Sequence, residues 1–146
     1  TTLFRSALEK DLIERIRNIE SHQEKISALE PARQVKMKEE LRRKMEEQLG
    51  KENYDANRLE QEMIYYIEKI DISEEQVRLR NHCEYFINIL KEEGESKGKK
   101  LGFVLQEIGR EINTTGAKAY DTAIQKLVVL MKDELEKAKE QVLNVL

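Results

Sequence analysis

Tryptophan is absent from the sequence, proline and cysteine occur once each, and the aromatic side chains are limited to three Phe and five Tyr. So few turn-forming prolines and so few β-branched runs argue against a sheet-rich fold, and the 38% of charged residues points to exposed helices over a modest core. A lone cysteine excludes an intrachain disulfide. Cys83 lies on an apolar helical stripe with Phe86 and Ile87 beside it, so a buried, reduced thiol in a reducing cytoplasm is expected. No apolar run approaches the length of a membrane span, and Thr1-Thr2-Leu3-Phe4 lacks the basic and apolar regions of a signal peptide. There is no surplus of positive charge either. The formal net charge is −3, which excludes a broadly basic nucleic-acid surface and confines any phosphate contact to local clusters. Gly-rich phosphate loops, zinc-ligand sets and nucleophile elbows do not occur.

What the sequence does contain is concentrated between Lys99 and Lys118. Leu101, Val104, Leu105, Ile108 and Ile112 recur at helical spacing, leaving Gln106, Glu107, Arg110, Glu111 and Asn113 on the other side. Glu107 and Glu111 are one turn apart with Arg110 beside them, so two carboxylates and a guanidinium can face a common point. Such a set can serve a metal and a phosphate, or it can be a solvated face laced with salt bridges.

The remaining chain reads as all-α: a long helical hairpin followed by a small helical bundle that ends in a long carboxy-terminal helix. A seam of Leu8, Leu12, Ile16, Ile19 and Ile26 forms the first arm, and Glu30-Pro31 is expected to end it and reverse the chain. The second arm carries a thin stripe of Val35, Leu41, Met45 and Leu49 within a charge run that reads as solvated surface. Residues 1–50 are therefore expected to protrude as a mobile unit, distinct from a domain over 51–146. Gly50 would close the hairpin, and Asn53 or Asp55 would cap a third helix with Leu59, Met63, Tyr66, Ile67 and Ile70. Ser73-Glu74-Glu75-Gln76 has the form of a capping box, with Ile72 and Val77 as its hydrophobic staple. In the helix that follows, Glu75, Arg78 and His82 succeed one another at spacings of three and four along one face. An imidazole held by an acid and next to Arg suits proton transfer at a ribose hydroxyl or leaving oxygen. Glu92 to Lys100, with Gly94, Gly98, Lys97, Lys99 and Lys100, reads as a basic flexible connection able to meet a phosphate at the next helix start. Asn113-Thr114-Thr115-Gly116 reads as a helix stop, and a seam from Tyr120 to Val145 as the last helix.

Several of these residues occur together in a known arrangement. Leu101, Phe103, Gln106, Glu107, Arg110, Glu111, Asn113, Thr114, Gly116, Lys118 and Ala119, preceded by Asp71, Ile72, Glu74, Glu75, Arg78, Leu79 and His82, resemble the carboxy-terminal region of the YicC/YloC family of bacterial endoribonucleases. The chain departs from that pattern at Gly102, where the family usually has Asp, at Gly109, where it usually has Asn, and at Asn81, where it usually has Ser. The resemblance implies hydrolysis of RNA phosphodiester bonds with a divalent cation, Mg or Mn, in a cytoplasmic protein. It also implies an amino-terminal domain ahead of this region and a homo-oligomer, a hexamer in relatives. On that basis Glu107, Glu111 and His82 are the expected catalytic residues. Arg78, Arg110, Asn113, Lys118, Lys99 and Lys100 are expected on RNA, and Asp71, Glu74, Glu107 and Glu111 on metal. The competing reading is a non-catalytic helical scaffold whose seams build an oligomer and whose acid-rich face salt-bridges across subunits.

Overall fold

A computed structural model describes residues 2–49, 55–92 and 97–144. Within them the chain is all-α, with five helices: α1 (Thr2–Leu49), α2 (Ala56–Ile70), α3 (Ser73–Lys91), α4 (Gly98–Ala119) and α5 (Thr122–Val142). Gly50 and Asn53, the expected hairpin end and one candidate cap, lie outside the described residues, as does Gly94 of the basic connection.

The expected hairpin is not formed. α1 is one helix of 48 residues that runs through Pro31, although an interior proline deletes a backbone hydrogen bond and costs about 3 kcal/mol. The compensation is tertiary. On one side of Pro31, Gln23 donates to the Gln76 carbonyl and Ser27 Oγ lies 2.6 Å from Gln76 Oε1. On the other, Arg33 donates to the carbonyls of Ile70 at 2.6 Å and Ala119 at 2.8 Å. A reversal at Glu30 would break both sets of anchors. Nor is the amino-terminal seam a protruding arm: Leu8, Leu12, Ile16, Ile19 and Ile26 are buried in the same core as the apolar faces of α3, α4 and α5. α1 lies chiefly against α5, α3 against α4, and α4 against α5. Beyond Met37 α1 becomes the charged, largely exposed surface its composition suggests, and residues 2–7 at its start are exposed as well.

The helix ends also differ from expectation in instructive ways. The capping box at Ser73 is replaced by a bridge from the preceding residue pair: Asp71 Oδ1 accepts from the Ser73 amide at 2.9 Å and from its hydroxyl. Ile72 is buried, but Val77 is exposed, so the two do not form a staple. Asp55 is the cap of α2, accepting from the Asn57 amide at 3.0 Å. Asn113 to Gly116 does not stop α4, because the Thr114 and Thr115 hydroxyls bond back to the carbonyls of Arg110 and Glu111 and satisfy themselves inside the helix. Gly116 instead gives α5 room to approach, since a Cβ there would stand 3.2 Å from Val128 Cγ1. α4 ends at Tyr120 in the left-handed region, with φ of 45°, a conformation that non-glycine residues rarely adopt. Asp121 then caps α5 through the Ile124 amide at 3.0 Å.

Candidate functional site

α3 and α4 run antiparallel, and their facing residues pair off along the seam, about one turn at a time on α3 and one to two turns at a time on α4. Lys118 Nζ lies 2.8 Å from Glu75 Oε1, and Arg78 Nε lies 3.0 Å from Glu111 Oε1. One turn further along α3 and back along α4, His82 and Glu107 line a common open cleft with Tyr85, Phe103, Val104, Lys99 and Lys100. The seam thus has a charged, internally paired half and an open half with a volume of about 670 Å³.

The paired half is structural in its bonding. Glu75 is only 2% exposed, and its Oε1 takes Lys118 together with the Arg78 guanidinium at 3.5 Å. Its Oε2 is buried without a partner among the described residues. Glu111 is 4% exposed and faces α3 rather than solvent. Arg78 is the junction. It reaches Glu74, Glu75 and Glu111, and the hydrogen bond to Glu111 is the main reason its pKa lies above the ordinary arginine value. Lys118 also stands 3.5 Å from the Asp71 carbonyl. The expected pairing of Glu75 with His82 is absent, since Glu75 is held by the two cations.

Behind this half is a buried charge pair whose cation, Arg33, belongs to the charge run expected to be solvated surface. Arg33 is 3% exposed, with Nη1 2.8 Å from Glu30 Oε1 and its remaining donors on the carbonyls of Ile70, Lys118 and Ala119. One guanidinium therefore satisfies the otherwise orphaned carbonyls at the ends of both α2 and α4. Burial is the largest influence on Glu30 and raises its pKa, against the opposing pull of Arg33.

The expected metal ligands do not converge. Asp71 Oδ1 is committed to Ser73, which holds its pKa below the usual carboxylate value. Glu74 is exposed and bonds to Arg78, Glu111 is taken by Arg78, and Glu107 belongs to the cleft. Among the described residues no three His, Cys, Asp or Glu side chains come together as a metal-holding group. Among the described residues these side chains do not form a closed chelate for a divalent cation. The reason is register: Asp71 and Glu74 sit at the α2–α3 junction, opposite Lys118, whereas Glu107 sits about three turns away on α4.

Of the expected RNA contacts, Lys99 and Lys100 reach the cleft, Arg110 and Asn113 are exposed on α4, and Arg78 and Lys118 belong to the paired network. Arg110 Nη1 is a loose 3.8 Å from Glu107 Oε2. Tyr85 and Phe103 were not assigned a role in the site from the sequence. Each sits just off the core stripe of its helix, and that displacement was a legible sign that the ring faces outwards.

A profile of the family described as "Endoribonuclease YicC-like, C-terminal" matches residues 26–146, which include the whole of α2 to α5 and the site. The chain belongs to this family. Among YicC-like relatives, the probable endoribonuclease YicC of Clostridioides difficile (strain 630) is 36% identical over 139 residues, covering 94% of this chain and 47% of the relative. The probable endoribonuclease YicC of Haemophilus influenzae (strain ATCC 51907 / DSM 11121 / KW20 / Rd) is 35% identical over 136 residues, covering 92% and 46%. The chain spans about half the length of these YicC-like relatives. No described helix is long and apolar enough to cross a membrane.

Proposed function

We propose that this chain is the helical part of an endoribonuclease that hydrolyses RNA phosphodiester bonds, and that the open half of the α3–α4 seam receives the RNA. The observation that carries the reading is the convergence of His82, Glu107, Lys99 and Lys100 on one cleft. Lys99 and Lys100 offset the phosphate charge. Glu107 takes a proton from the attacking water as its oxygen bonds to phosphorus, and His82 gives a proton to the ribose oxygen that departs with the electron pair of the broken P–O bond. Glu111 has no catalytic role in this scheme: buried and bonded, it fixes Arg78, which is a positioning residue. Arg110 and Asn113 extend the RNA path on the exposed side of α4.

The Mg or Mn ion expected from the resemblance has no chelating set among the described residues. We place the protein in a reducing cytoplasm, in keeping with the buried thiol of Cys83. We also propose a homo-oligomer, hexameric as the resemblance implies, supported by the exposed Val129, Leu130 and Leu143 at the outer side and end of α5.

A gel assay on generic RNA with full-length protein tests the assignment. Glu107→Gln and His82→Ala should each lower cleavage by about 100-fold or more while helicity and oligomer size stay unchanged. Undiminished cleavage by Glu107→Gln would remove this carboxylate from the mechanism. Light scattering that returns a monomer would reject the oligomer.

A further inference from the structure

We propose that the cleft between Tyr85 and Phe103 seats an unpaired RNA nucleotide, whose base stacks on these rings while Lys99 and Lys100 hold its phosphate. The inference rests on the RNA reading above and adds what part of the RNA the cleft selects. Phe103 is 68% and Tyr85 52% exposed, on facing turns of α4 and α3 beside the same opening. Neither ring contributes to the core. Phe86 and Val104, their sequence neighbours, are the ones turned inwards, and Val104 forms part of the cleft wall. Two outward rings face one space of about 670 Å³, which lies within the size range of ligand pockets, about 300–1,000 Å³.

The charges around the rings select the ligand. Lys99 and Lys100 come from the first turn of α4, which has no acidic residue and no side-chain cap. That end therefore presents two ammonium groups to the cleft beside the positive end of the helix dipole. A purely apolar occupant, such as a helix from another chain, would have to bury both ammonium groups with only the loose 3.9 Å pairing of Lys100 to Glu92 to offset them; a nucleotide meets rings and cations with its own base and phosphate. The base must be unpaired because neighbours cover both faces of a base in a duplex, and the A-form groove does not admit rings to them. The opposite end of the cleft carries His82 and Glu107, so the seated nucleotide would adjoin the bond to be cut. The seat is indifferent to sequence, since every base offers a π-face.

The test is equilibrium binding of the full 146-residue chain to a fluorescein-labelled oligouridylate of about twelve nucleotides and to a duplex RNA of the same length. Phe103→Ala and Tyr85→Ala should each weaken single-strand binding by about 5- to 100-fold with little change for the duplex, and Phe103→Trp should retain the wild-type affinity. Both positions are exposed, and circular dichroism verifies that the fold is intact. If single-strand binding is unchanged in Phe103→Ala while Lys99→Gln/Lys100→Gln weakens it, the stacking seat is wrong and the RNA reading stands. If the wild-type chain binds neither RNA, both fall. If Phe103→Ala dissociates an oligomer without altering RNA affinity, the cleft is a contact between copies and the proposal is overturned.

Discussion

Arg78 Nε stands 3.0 Å from Glu111 Oε1, so a half-exposed guanidinium is anchored by a carboxylate that is almost entirely inside the protein. The two residues lie on different helices, and the bond fixes the register between α3 and α4. One turn along, the same register places His82 and Glu107 on the cleft. Glu111 looks like the twin of Glu107 on the sequence alone, yet the two carboxylates act in opposite directions. Glu107 faces the opening, and Glu111 sets where the opening is.

Arg33→Met should be among the most damaging single changes. It strips donors from the carbonyls of Ile70, Lys118 and Ala119 and leaves Glu30 buried without its cation. Removing one member of a buried pair costs about 3–5 kcal/mol, readable in urea denaturation at neutral pH. Glu30→Gln/Arg33→Met should recover part of the loss. Because burial raises the Glu30 pKa in the folded state, the folded protein holds that proton more tightly than the unfolded chain. The stability linked to that proton is complete below the ordinary carboxylate range and is lost as pH rises through the elevated value. The deficit of Arg33→Met should accordingly be smaller at acid pH than at pH 8. A loss below about 1 kcal/mol would show that the carbonyls find other donors.

Asp71 has the opposite sign. Its bonds to Ser73 depress its folded pKa below the ordinary value, so its contribution is present above about pH 4 and is lost as pH falls through the depressed value. Asp71→Ala should cost about 1 kcal/mol at pH 7, the usual worth of a helix cap, and the gap to wild type should close towards pH 2. A pH-independent gap would mean that the carboxylate acts through shape alone.

Cys83 is buried, and desolvation pushes its thiol well above the ordinary value. The native protein should react with a disulfide reagent far more slowly than the same chain in denaturing urea, with the native rate limited by opening. Rapid native labelling would place the thiol at a surface.

The helices were legible where their apolar positions are many and regular: the stripes of Leu79, Cys83, Phe86 and Leu90 and of Leu101, Val104, Leu105, Ile108 and Ile112 all point into the core. Ends were harder to read, because they depend on single side chains whose partners are distant in sequence. Pro31 carries a local stop signal that the anchors at Gln23 and Arg33 override, and the threonines after Asn113 prolong a helix they were expected to end. In the site, the pairing of α3 with α4 followed from the stripes, but which carboxylate faced inwards did not. Glu107 and Glu111 differ by about 40° around the helix, and only the position of Arg78 across the seam separates them. Arg33 had no signal at all, being one cation in a run of charges.

Gly102 and Gly109 separate propensity from packing. A Cβ at Gly102 meets open space, whereas one at Gly109 stands 3.1 Å from Leu135 Cδ2. Both lie inside α4, where replacing glycine with alanine gains up to about 1 kcal/mol when nothing obstructs it. Gly102→Ala should raise the melting temperature, and Gly109→Ala should raise it less or lower it. Equal shifts would show that Leu135 yields freely.

At 1.5 Å per residue, the 48 residues of α1 span about 72 Å, while the 21 of α5 span about 32 Å. The excess length is a rigid lever, and Arg33 is its fulcrum. Because the rod continues through Pro31 and the same guanidinium grips the last carbonyls of α2 and α4, a tilt of α1 at Arg33 bears on Ile70, Lys118 and Ala119, and through Lys118 on the end of the seam that Glu75 holds. Whatever grasps the far end of α1 therefore has mechanical purchase on the spacing of α3 and α4.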